Sequence, residues 1–465
     1  MKYLILIFSL ILSAYSQDKP NIILMMCDDL GWGDTGFNGN KIIKTPELDK
    51  LADQGVNMKH FYAGGPVCSP TRGTCLTGRH YWRYGIWFAN QGHLPKEEIT
   101  VAQILKEKGY VTGHFGKWHL GTLDKNISSK GKSRNPEVNF APPWERHYDR
   151  SFVTESAVCT WDPGYGKRAK DNAFYDDGKP TMENLKGGAA RVVMDRVIPF
   201  IEQAVSEKKP FLSVVWFHAP HEDIQAGPKY LKMYEGYNEA AHYYGCITEL
   251  DEQVGRLQEK LKELGVYENT LQFFTSDNGP EGKTPKNDNT RRAGVTGGFK
   301  GRKRDLYDGG VRVPSLIIWP GKIKPGTVIN TPASTLDYLP TIARITGFKM
   351  PDNRPVDGMD LMPIAKGQVN ERANAIPFRI GKLAGIVKGK FKLLTKSMTN
   401  SSSDILYDLG KDWQESNNVA VDNPEIVSAL KKELAAFLDS AEKSHSGGDY
   451  GDTTYKPVEK FHKLK

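Results

Sequence analysis

The sequence predicts an α/β fold in which helices cover a mostly parallel β-sheet, followed by a smaller antiparallel sheet with one helix. The first observation is that short apolar runs alternate with longer helical stretches, which is typical of parallel sheets covered by helices. The second is that polar side chains gather where the apolar runs end. The third is a change of pattern after Asp360, where closely spaced strand-like runs precede a single helical stretch.

Five short apolar runs bounded by polar residues, Gly or Pro are predicted to be buried strands. They are 21–26 (NIILMM), 110–115 (YVTGHF), 211–217 (FLSVVWF), 271–275 (LQFFT) and 314–319 (PSLIIW). The helical stretches between them are 45–54, 100–108, 189–206 and 234–264. We expect Thr45 to be the N-cap of the first helix, because Pro46 follows it in the first turn.

The last part of the chain has a different pattern. The runs 381–395 and 404–409, with a helix near 424–438, resemble a small antiparallel sheet covered on one side. From Ser444 onward the chain is polar and rich in Gly, so we expect a loosely ordered tail.

The first sixteen residues have the features of a secretory signal peptide. Lys2 precedes an apolar run, and Ala14-Tyr15-Ser16 matches the small-x-small pattern at a cleavage site. The run is shorter than the roughly 20 residues that span a bilayer, which disfavours the alternatives of an anchor or a buried strand. We therefore expect a secreted or periplasmic chain that starts at Gln17 and has no membrane partner.

Charge and cysteine content narrow the function classes. A net charge of +8 without a basic run suits an anionic substrate, although much of it could be solvated surface. No nucleic-acid-binding motif is present, so we expect no nucleic acid partner. The five cysteines are an odd number with irregular spacing, which leaves at least one thiol unpaired in an exported protein. Cys68, beside Pro70 and Arg72, is the candidate.

Polar groups follow four of the five predicted strands. The segments are 27–29 (CDD), 116–119 (GKWH), 218–221 (HAPH) and 276–279 (SDNG). In open α/β sheets, ligands bind outside the carboxyl ends of the strands. The four segments together therefore predict an active site at that edge.

Four of these residues form an oxygen donor set, Asp28, Asp29, Asp277 and Asn278. Calcium takes six to eight oxygen ligands, whereas zinc prefers His or Cys. A cation between two adjacent acids also explains their pairing. The alternative is that the D-D-x-G-x-G-D run only caps a helix or starts a turn.

The titratable candidates are Lys117, His119, His221 and Lys303. Histidine transfers protons near neutral pH, and lysine neutralises an oxyanion or protonates a leaving group. His218 is a weaker candidate that we expect to be structural.

Cys68-Ser69-Pro70-Thr71-Arg72 and the L-T-G-R run at 76–79 resemble the C-x-P-x-R signature of the type I sulfatases. Thr71 stands where serine is commoner in that family, but a hydroxyl is kept. Other similar segments follow in the family's order and extend the resemblance from residue 20 to about residue 440. They are 20–34 (PNIILMMCDDLGWGD), 45–51 (TPELDKL), 116–121 (GKWHLG), 275–279 (TSDNG), 301–314 (GRKRDLYDGGVRVP), 357–363 (DGMDLMP) and 405–417 (ILYDLGKDWQESN).

The resemblance implies an alkaline phosphatase-like fold, with a large mixed, mostly parallel sheet between helices and a smaller C-terminal antiparallel sheet and helix. It also implies that a maturation enzyme oxidises Cys68 to formylglycine. The modified residue would bind Ca2+ together with the oxygen donor set named above. The domains expected from it are a signal peptide at 1–16, a sulfatase catalytic domain at 17–375, a small sheet domain at 376–443 and a polar tail at 444–465.

The resemblance further implies roles for individual residues. Arg72 would hold the formylglycine hydroxyl, and the sulfate would be surrounded by Lys117, His119, His221 and Lys303. Lys303 is preferred to Lys300 because it is the lysine of G-x-K before the D-G-G-x-R run. One hydroxyl of the hydrated aldehyde would attack sulfur with Asp277 as base. His221 or Lys303 would then protonate the departing alcohol, and His119 would help to expel sulfate.

One segment departs from the family's pattern, 139–162 (NFAPPWERHYDRSFVTESAVCTWD). Its Trp144, Arg146, His147 and Trp161 could form a wall that selects the substrate, or they could be ordinary packing.

The leading function is a sulfuric ester hydrolase that removes sulfate from a sulfated carbohydrate. One alternative is a phosphodiester or phosphonate monoester hydrolase of the same fold. The other is a non-catalytic sulfoglycan-binding protein in which Cys68 remains a thiol.

Overall fold

The computed structural model describes residues 19–166, 169–451 and 454–464, so the signal peptide predicted at 1–16 lies outside the described residues. Its strands are β1 (Asn21–Cys27), β2 (Val56–Met58), β3 (Phe61–Tyr62), β4 (Val111–Lys117), β5 (Arg150–Thr154), β6 (Phe174–Asp176), β7 (Lys179–Thr181), β8 (Phe211–Trp216), β9 (Thr270–Ser276), β10 (Ser315–Ile318), β11 (Thr327–Ile329), β12 (Ala333–Ser334), β13 (Ile376–Ile380), β14 (Leu383–Lys388), β15 (Phe391–Thr395) and β16 (Ile405–Asp408). Its α-helices are α1 (Pro46–Gln54), α2 (Cys68–Thr77), α3 (Val101–Glu107), α4 (Ala189–Ser206), α5 (Pro228–Met233), α6 (Ala240–Glu263), α7 (Asp308–Val311), α8 (Tyr338–Thr346), α9 (Met362–Ala365) and α10 (Pro424–His445).

A ten-stranded mixed sheet forms the centre of the molecule, in the order β11-β2-β10-β9-β1-β8-β4-β5-β6-β7. The strands from β9 through β1, β8 and β4 to β5 are parallel to one another. The pairs of β10 with β9 and with β2, and the pairs that β6 makes, are antiparallel. The predicted α/β class is therefore confirmed.

Both faces of this sheet are buried. Successive side chains of a strand point to opposite faces, so neighbouring residues of β1 enter different cores. Ile23 and Met25 of β1 belong to a core that includes residues of α1, α4 and α6. Ile22 and Leu24 belong to the opposite core, which includes residues of α2, α3 and α8. This two-sided burial explains why β1 reads as a continuous apolar run rather than an alternating one.

One expectation about an individual element was wrong. The helix expected over 234–264 starts at Ala240, because α5 and a turn precede it. The strand expected at 314–319 is present as β10, which is antiparallel to β9. Thr45 is the N-cap residue of α1, as expected, but its side chain makes no capping hydrogen bond, since its hydroxyl accepts from the Gly36 amide at 2.8 Å. The carboxylate of Asp251 instead accepts from the first amides of α1, at 3.0 and 2.8 Å.

The smaller sheet is an antiparallel meander in the order β13-β14-β15-β16, as the sequence predicts. The stretch 381–395 is a hairpin of β14 and β15. Ile386 and Leu393 pack with Leu434 of α10, which covers one face of the sheet. Val387 and Leu394, on the other face, belong to a core shared with the large-sheet part of the chain.

The described residues after α10 contain no helix or strand, yet they make specific contacts with the rest of the chain. Asp449 pairs with Arg79 at 2.7 Å, and the Tyr450 hydroxyl donates to Glu98 at 2.5 Å. The ring of Phe461 lies edge-on to Trp82. Polar composition suggested a loose tail, but these contacts hold the tail against the large-sheet part of the molecule.

Two further facts concern the chemistry of the whole chain. All five cysteines are buried free thiols. In the part of the chain that the structure covers, no helix is both long and apolar enough to cross a membrane.

Candidate active site

The four strands whose ends carry polar groups are neighbours in the sheet, in the order β9, β1, β8 and β4. Their parallel alignment brings the segments after all four strands to one edge of the sheet. The sequence-based prediction of a site there matches this arrangement. Residues from two other parts of the chain, the start of α2 and the segment before α7, complete the cluster.

Cys68 is the first residue of α2 and is buried, with its Sγ 3.5 Å from Oδ1 of Asp28. Burial, followed by the charge of Asp277, raises the pKa of the Cys68 thiol to about 12. An unmodified Cys68 is therefore protonated at neutral pH and is a poor nucleophile, since only the thiolate attacks.

Asp28 is surrounded by cations. Its Oδ2 accepts from Lys117 Nζ at 2.7 Å, and its Oδ1 lies 3.6 Å from Arg72 Nη2. Burial opposes ionisation of this carboxyl, but Lys117, His221 and Arg72 hold its pKa well below the usual range. Asp28 is therefore a permanent anion at neutral pH.

The pKa of Asp277 is set by a different balance of burial, hydrogen bonds and neighbouring charges. Its Oδ2 accepts from Arg72 Nε at 3.1 Å and from Nη2 at 2.7 Å, and its Oδ1 accepts from the Asp29 amide at 3.1 Å. Burial and the negative charge of Asp28 nevertheless raise the pKa of Asp277 to about 7. Two acids in one site are thus driven apart in proton affinity, which is typical of acid–base chemistry.

Asp29 connects the site to the segment before α7. Lys303 Nζ donates to Oδ1 and Oδ2 of Asp29, at 2.6 and 2.9 Å. Asn278 Nδ2 donates to the same Oδ1 at 2.7 Å. Lys300 points elsewhere and donates to the Tyr407 hydroxyl and the Glu415 carbonyl. The structure therefore brings Lys303 to the site and leaves Lys300 away from it, in the arrangement the sequence pattern predicts.

A group of side chains could hold a cation. One ligand atom from each of Asp28, Asp29, Cys68 and His221 lies within 4.8 Å of the others. The buried Oδ1 of Asn278 has no hydrogen-bond partner among the described residues and is free to serve as a further oxygen ligand. This mainly oxygen donor set fits calcium, provided that an oxygen replaces the soft sulfur of Cys68.

The geometry differs from the predicted ligand set in two respects. His221, which was expected to contact sulfate and to protonate the leaving alcohol, joins the group that could hold the cation. Asp277, expected as a ligand, already receives hydrogen bonds at both oxygens.

The histidines have low proton affinity. Both ring nitrogens of His119 and of His218 are buried without a hydrogen-bond partner among the described residues. Burial lowers the pKa of His218 to about 3 and that of His221 to about 4, and it lowers the pKa of His119 as well. Nδ1 of His221 donates to the Glu222 carbonyl at 2.6 Å, which leaves Nε2 free towards the site. These neutral rings therefore have ring nitrogens that could bind a ligand.

Three supporting residues were not predicted. Trp216, the last residue of β8, lies under the Arg72 guanidinium at 5.0 Å. Ser276 Oγ accepts from the Leu30 amide at 3.0 Å and so orders the loop after Asp29. Glu281 lies 3.5 Å from Lys303. Trp216 stands at a strand end and Ser276 belongs to the S-D-N-G segment, so both could have been noticed there, but Glu281 has no distinctive sequence signal.

The possible substrate wall is mostly packing. His147 accepts through its carbonyl from Thr112, at the start of β4, so this segment lies at the amino end of the strands, opposite the site. Trp144 and Arg146 belong to the same segment, and Trp144 packs near Tyr175. Trp161 is half-buried and packs against Tyr230. The wall interpretation is therefore wrong for Trp144 and His147, whereas Arg146 donates to the Leu94 carbonyl at 3.3 Å and stays a candidate.

A mixed sheet whose carboxyl edge carries paired acids, buried cations and a cysteine at a helix start defines a hydrolase of the alkaline phosphatase-like class. The chain belongs to the sulfatase family. The sulfatase family model matches residues 20–348, and the C-terminal model of N-sulphoglucosamine sulphohydrolase matches residues 297–441. The protein is a sulfatase, an enzyme that hydrolyses sulfate esters.

Individual relatives agree with this assignment. N-acetylgalactosamine-6-sulfatase of Mus musculus is 30% identical over 434 residues, covering 88% of this chain and 78% of that protein. Arylsulfatase A of Homo sapiens is 31% identical over 472 residues, covering 91% and 89%. The crystal structure of Ps i-CgsB in complex with k-i-k-neocarrahexaose superimposes with a TM-score of 0.79 at 27% identity, covering 92% and 94%.

Proposed function

We propose that this sulfatase removes sulfate from a sulfated carbohydrate, with a formylglycine made from Cys68 as its nucleophile. The observation that carries this is the position of Cys68, at the first residue of α2 and 3.5 Å from Asp28. The high pKa of its thiol makes an unmodified cysteine a poor nucleophile. The carbohydrate is supported by the names of relatives, which include an N-acetylgalactosamine-6-sulfatase and a protein bound to a neocarrahexaose.

The proposed binding roles follow from charge and position. Lys117 and Lys303 bring two buried ammonium groups to the edge where Cys68 lies, and both would contact sulfate oxygens. Arg72 holds Asp277 with two nitrogens, and its Nη1 has no partner among the described residues. That nitrogen would hold the hydroxyl of the modified residue 68.

The proposed cation is Ca2+. The residues that would hold it are Asp28, Asp29, the modified residue 68 and the other two predicted ligands, Asp277 and Asn278. Ligand atoms of Asp28, Asp29, residue 68 and His221 lie within 4.8 Å of one another, and Asn278 Oδ1 has no hydrogen-bond partner among the described residues. When bound, the ion would supply positive charge that stabilises the sulfate oxygens.

The proton transfers are assigned by proton affinity. Asp277, with a pKa of about 7, is the base that would take a proton from the residue 68 hydroxyl. Lys303, whose pKa Asp29 holds well above its usual value despite burial, remains charged and would orient the leaving oxygen. His221 and His119 are neutral before substrate binds. His119 would accept a proton when sulfate leaves, and His221 would deliver one only after the substrate's charge raises its pKa.

The remaining expectations are part of the proposal. The catalytic domain would extend over 17–375, the small sheet domain over 376–443 and the tail over 444–465. The protein would be secreted or periplasmic, and a formylglycine-generating maturation enzyme would be its partner during biosynthesis. The proposal includes no partnership with nucleic acid or membranes.

The test is the mass of the tryptic peptide 60–72 from protein made with the maturation enzyme, together with hydrolysis of 4-nitrophenyl sulfate. We expect an aldehyde at position 68 and activity that Cys68→Ala abolishes. An unmodified thiol in active protein would refute the formylglycine nucleophile. Faster hydrolysis of a phosphonate monoester than of sulfate esters would favour the phosphonate monoester hydrolase. An unmodified thiol, saccharide binding and no turnover would favour the binding protein.

A further inference from the structure

Residues 302–305 form a turn that carries the site lysine. The Asp305 amide donates to the Arg302 carbonyl at 2.8 Å, so Lys303 and Arg304 are the two central residues of the turn. Arg304 has a φ of 80°, the left-handed backbone that a type II turn needs at its third residue. Glycine is the usual residue at such a position, because a Cβ atom makes this conformation unfavourable.

The strained backbone of Arg304 stands beside other strained residues of the active site. Among the non-glycine residues with left-handed backbone that the structure describes, Arg304 has the largest φ, and Asp29 and His119 belong to the same group. Asp and His are enriched in this conformation, but arginine is not. Strain that is kept at a functional site points to a role for the side chain there. An arginine at residue 304 therefore requires a role that glycine could not fill.

The Arg304 side chain binds Glu281 at the surface of the protein. Its Nη1 and Nη2 donate to the two carboxylate oxygens, at 2.7 and 2.8 Å. Burial opposes ionisation of Glu281, but Arg304 and Lys303 lower its pKa to about 2, so the pair is charged. The Arg304 side chain is 50% exposed, and exposed ion pairs contribute little to stability. The pair by itself therefore does not explain why a strained arginine is kept.

Exposure shows which end of the active site faces solvent. The side chains of Lys117 and Arg72 are fully buried, and that of Lys303 is 4% exposed. Glu281 lies 3.5 Å from Lys303 and is 20% exposed, and Arg304 lies beyond it. A sulfate held by the two lysines would therefore have its organic part directed towards Glu281 and Arg304.

Arg304 is fixed close to the proposed nucleophile and has donors to spare. Its amide donates at 2.9 Å to the carbonyl of Pro66, two residues before Cys68. Its guanidinium donates only to Glu281 among the described residues, so its other N–H groups are left for a ligand. Glu281 neutralises the charge of Arg304. The remaining donors therefore suit neutral hydroxyl oxygens better than a second acid.

We propose that Arg304 determines specificity by donating hydrogen bonds to hydroxyl groups of the sugar whose sulfate is cleaved. Glu281 is the positioning residue that holds the guanidinium in place. This inference rests on the proposed function and assigns the leaving-group side of the site to the turn at 302–305. A glycine at residue 304 would relax the turn but would leave the sugar without these donors.

The experiment compares matured Arg304→Gly with the matured wild type. The probes are the 4-sulfates and 6-sulfates of galactose and N-acetylgalactosamine. Their hydroxyl-free analogues are cyclohexyl sulfate for the 4-sulfates and cyclohexylmethyl sulfate for the 6-sulfates. Each compound is tested as a substrate and as an inhibitor of 4-nitrophenyl sulfate hydrolysis. The readout is the preference for a sugar sulfate over its analogue, taken as the ratio of their KM values or inhibition constants.

The matched control is Lys208→Gly. Lys208 is an exposed cation with a φ of 54°, and it lies between α4 and the amino end of β8, away from the site. Both substitutions therefore relieve the same kind of strain and remove the same charge. Only Arg304→Gly removes donors beside Lys303. Thermal unfolding is measured for every variant.

We expect the wild type to prefer the sugar sulfates to their analogues. Arg304→Gly should lower this preference about tenfold, the effect of losing a hydrogen bond from a charged donor, whereas Lys208→Gly should leave it unchanged. The two glycine variants should have similar unfolding temperatures, because each relieves a left-handed residue. Glu281→Gln should also lower the preference, but it should cause no further loss in Arg304→Gly, since it acts through Arg304.

Three results would overturn the inference. The first is an equal loss on sugar sulfates and analogues with a lower unfolding temperature, which would make Arg304 structural. The second is a wild type that binds the sugar sulfates no better than the analogues. The third is a Glu281→Gln effect that is undiminished in Arg304→Gly. If the matured wild type cleaves neither 4-nitrophenyl sulfate nor any sugar sulfate, the proposed function itself fails, and this is seen before the variants are compared.

Discussion

Lys300 and Lys303 are three residues apart, but only one of them contacts the active site. Lys303 donates to Asp29, whereas Lys300 donates to Tyr407 and Glu415. Substitutions of the two lysines can therefore separate a direct effect of charge at the active site from an indirect effect on the segment. Each substitution removes one lysine from the same segment, but only one of them removes a contact with the site.

We predict that Lys303→Ala lowers kcat/KM for 4-nitrophenyl sulfate by about 10²- to 10³-fold, because a buried cation near the reacting sulfate is lost. Lys300→Ala should lower it by less than about threefold. Steady-state kinetics of the two variants, with unfolding temperatures alongside, test this. Similar losses in both variants would show that the segment acts through the fold rather than through Lys303.

The match between sequence and structure is good for residues whose role depends on a strand end. Asp28, Lys117, His221 and Asp277 all reach the site because β1, β4, β8 and β9 are parallel neighbours. It is poor for Glu281, because this residue stands neither at a strand end nor in a recognisable motif. Its position beside Lys303 depends on how long connections fold back over the sheet.

At the scale of elements, α4 and α6 share a buried acid. Glu249 of α6 accepts through Oε1 from the Arg191 amide of α4 at 2.9 Å, while its Oε2 is buried without a partner among the described residues. Burial raises the pKa of Glu249 to about 8, although the amides of Arg191 and Ala190 favour its ionised form. The folded protein therefore keeps this carboxyl protonated at a pH where the unfolded chain has released the proton.

We predict that the contribution of Glu249 to stability is present below about pH 4.5 and is lost as the pH rises towards about 8. The free energy of unfolding should fall by at most about 1.4 kcal/mol per pH unit in this window. Glu249→Gln removes this dependence, so the variant should gain stability relative to the wild type between those pH values. Urea unfolding of the wild type and of Glu249→Gln at several pH values in this window measures the difference in stability.

The control for this prediction is Glu252→Gln on the same helix. Glu252 is half-exposed and pairs with Lys229, and its pKa is lowered, so both states are ionised across most of the window. The difference in unfolding free energy between Glu252→Gln and the wild type should not change with pH in this window. If the unfolding free energies of both variants, relative to the wild type, changed with pH in the same way, the pH dependence would come from groups other than Glu249.

A buried ion cluster joins the small sheet to the rest of the chain. Lys392 of β15 donates to Asp308 of α7 at 2.8 Å and lies 2.8 Å from Glu415. Glu415 also accepts from the Asp308 amide at 2.7 Å. Asp308 follows Lys303 by five residues, so this cluster supports the segment that carries the site lysine.

We predict that Lys392→Met lowers the free energy of unfolding by about 3–5 kcal/mol, because Glu415 loses its buried cation and Asp308 keeps only Arg312, at 3.3 Å. Lys388→Met on the neighbouring strand removes a lysine whose pair with Glu433 is half-exposed, and should cost less than about 1 kcal/mol. Urea unfolding of both variants is the measurement. A small effect of Lys392→Met would show that Asp308 or Glu415 holds a proton in the variant at little cost.

At the scale of the whole molecule, the site joins distant parts of the chain. Asp29 and Lys303 are 274 residues apart in sequence, and Arg72 and Asp277 are 205 apart. A cation bound between Asp28 and Asp29 would therefore stabilise the whole fold as well as the site, because only the folded chain brings the ligands together.

We predict that removal of divalent cations by a chelator abolishes sulfatase activity and lowers the unfolding temperature, and that Ca2+ restores both. The shift should grow with the Ca2+ concentration, since a ligand that binds only the folded state stabilises by mass action. Asp29→Asn should reduce the Ca2+-dependent shift. Full activity after exhaustive chelation would contradict the proposed cation site.

The sequence by itself determined the α/β class, the four strand ends that form the site and the sulfatase signature around Cys68. These features are local, because apolar runs, turns and short motifs are written in consecutive residues. The direction of β10, the Asp251 cap of α1, the placement of Trp144 away from the site and the contact of Glu281 with Lys303 were decided only by the tertiary structure. Each of them depends on contacts between residues far apart in the chain, and no local pattern encodes which distant group will supply a hydrogen bond or leave one unmade.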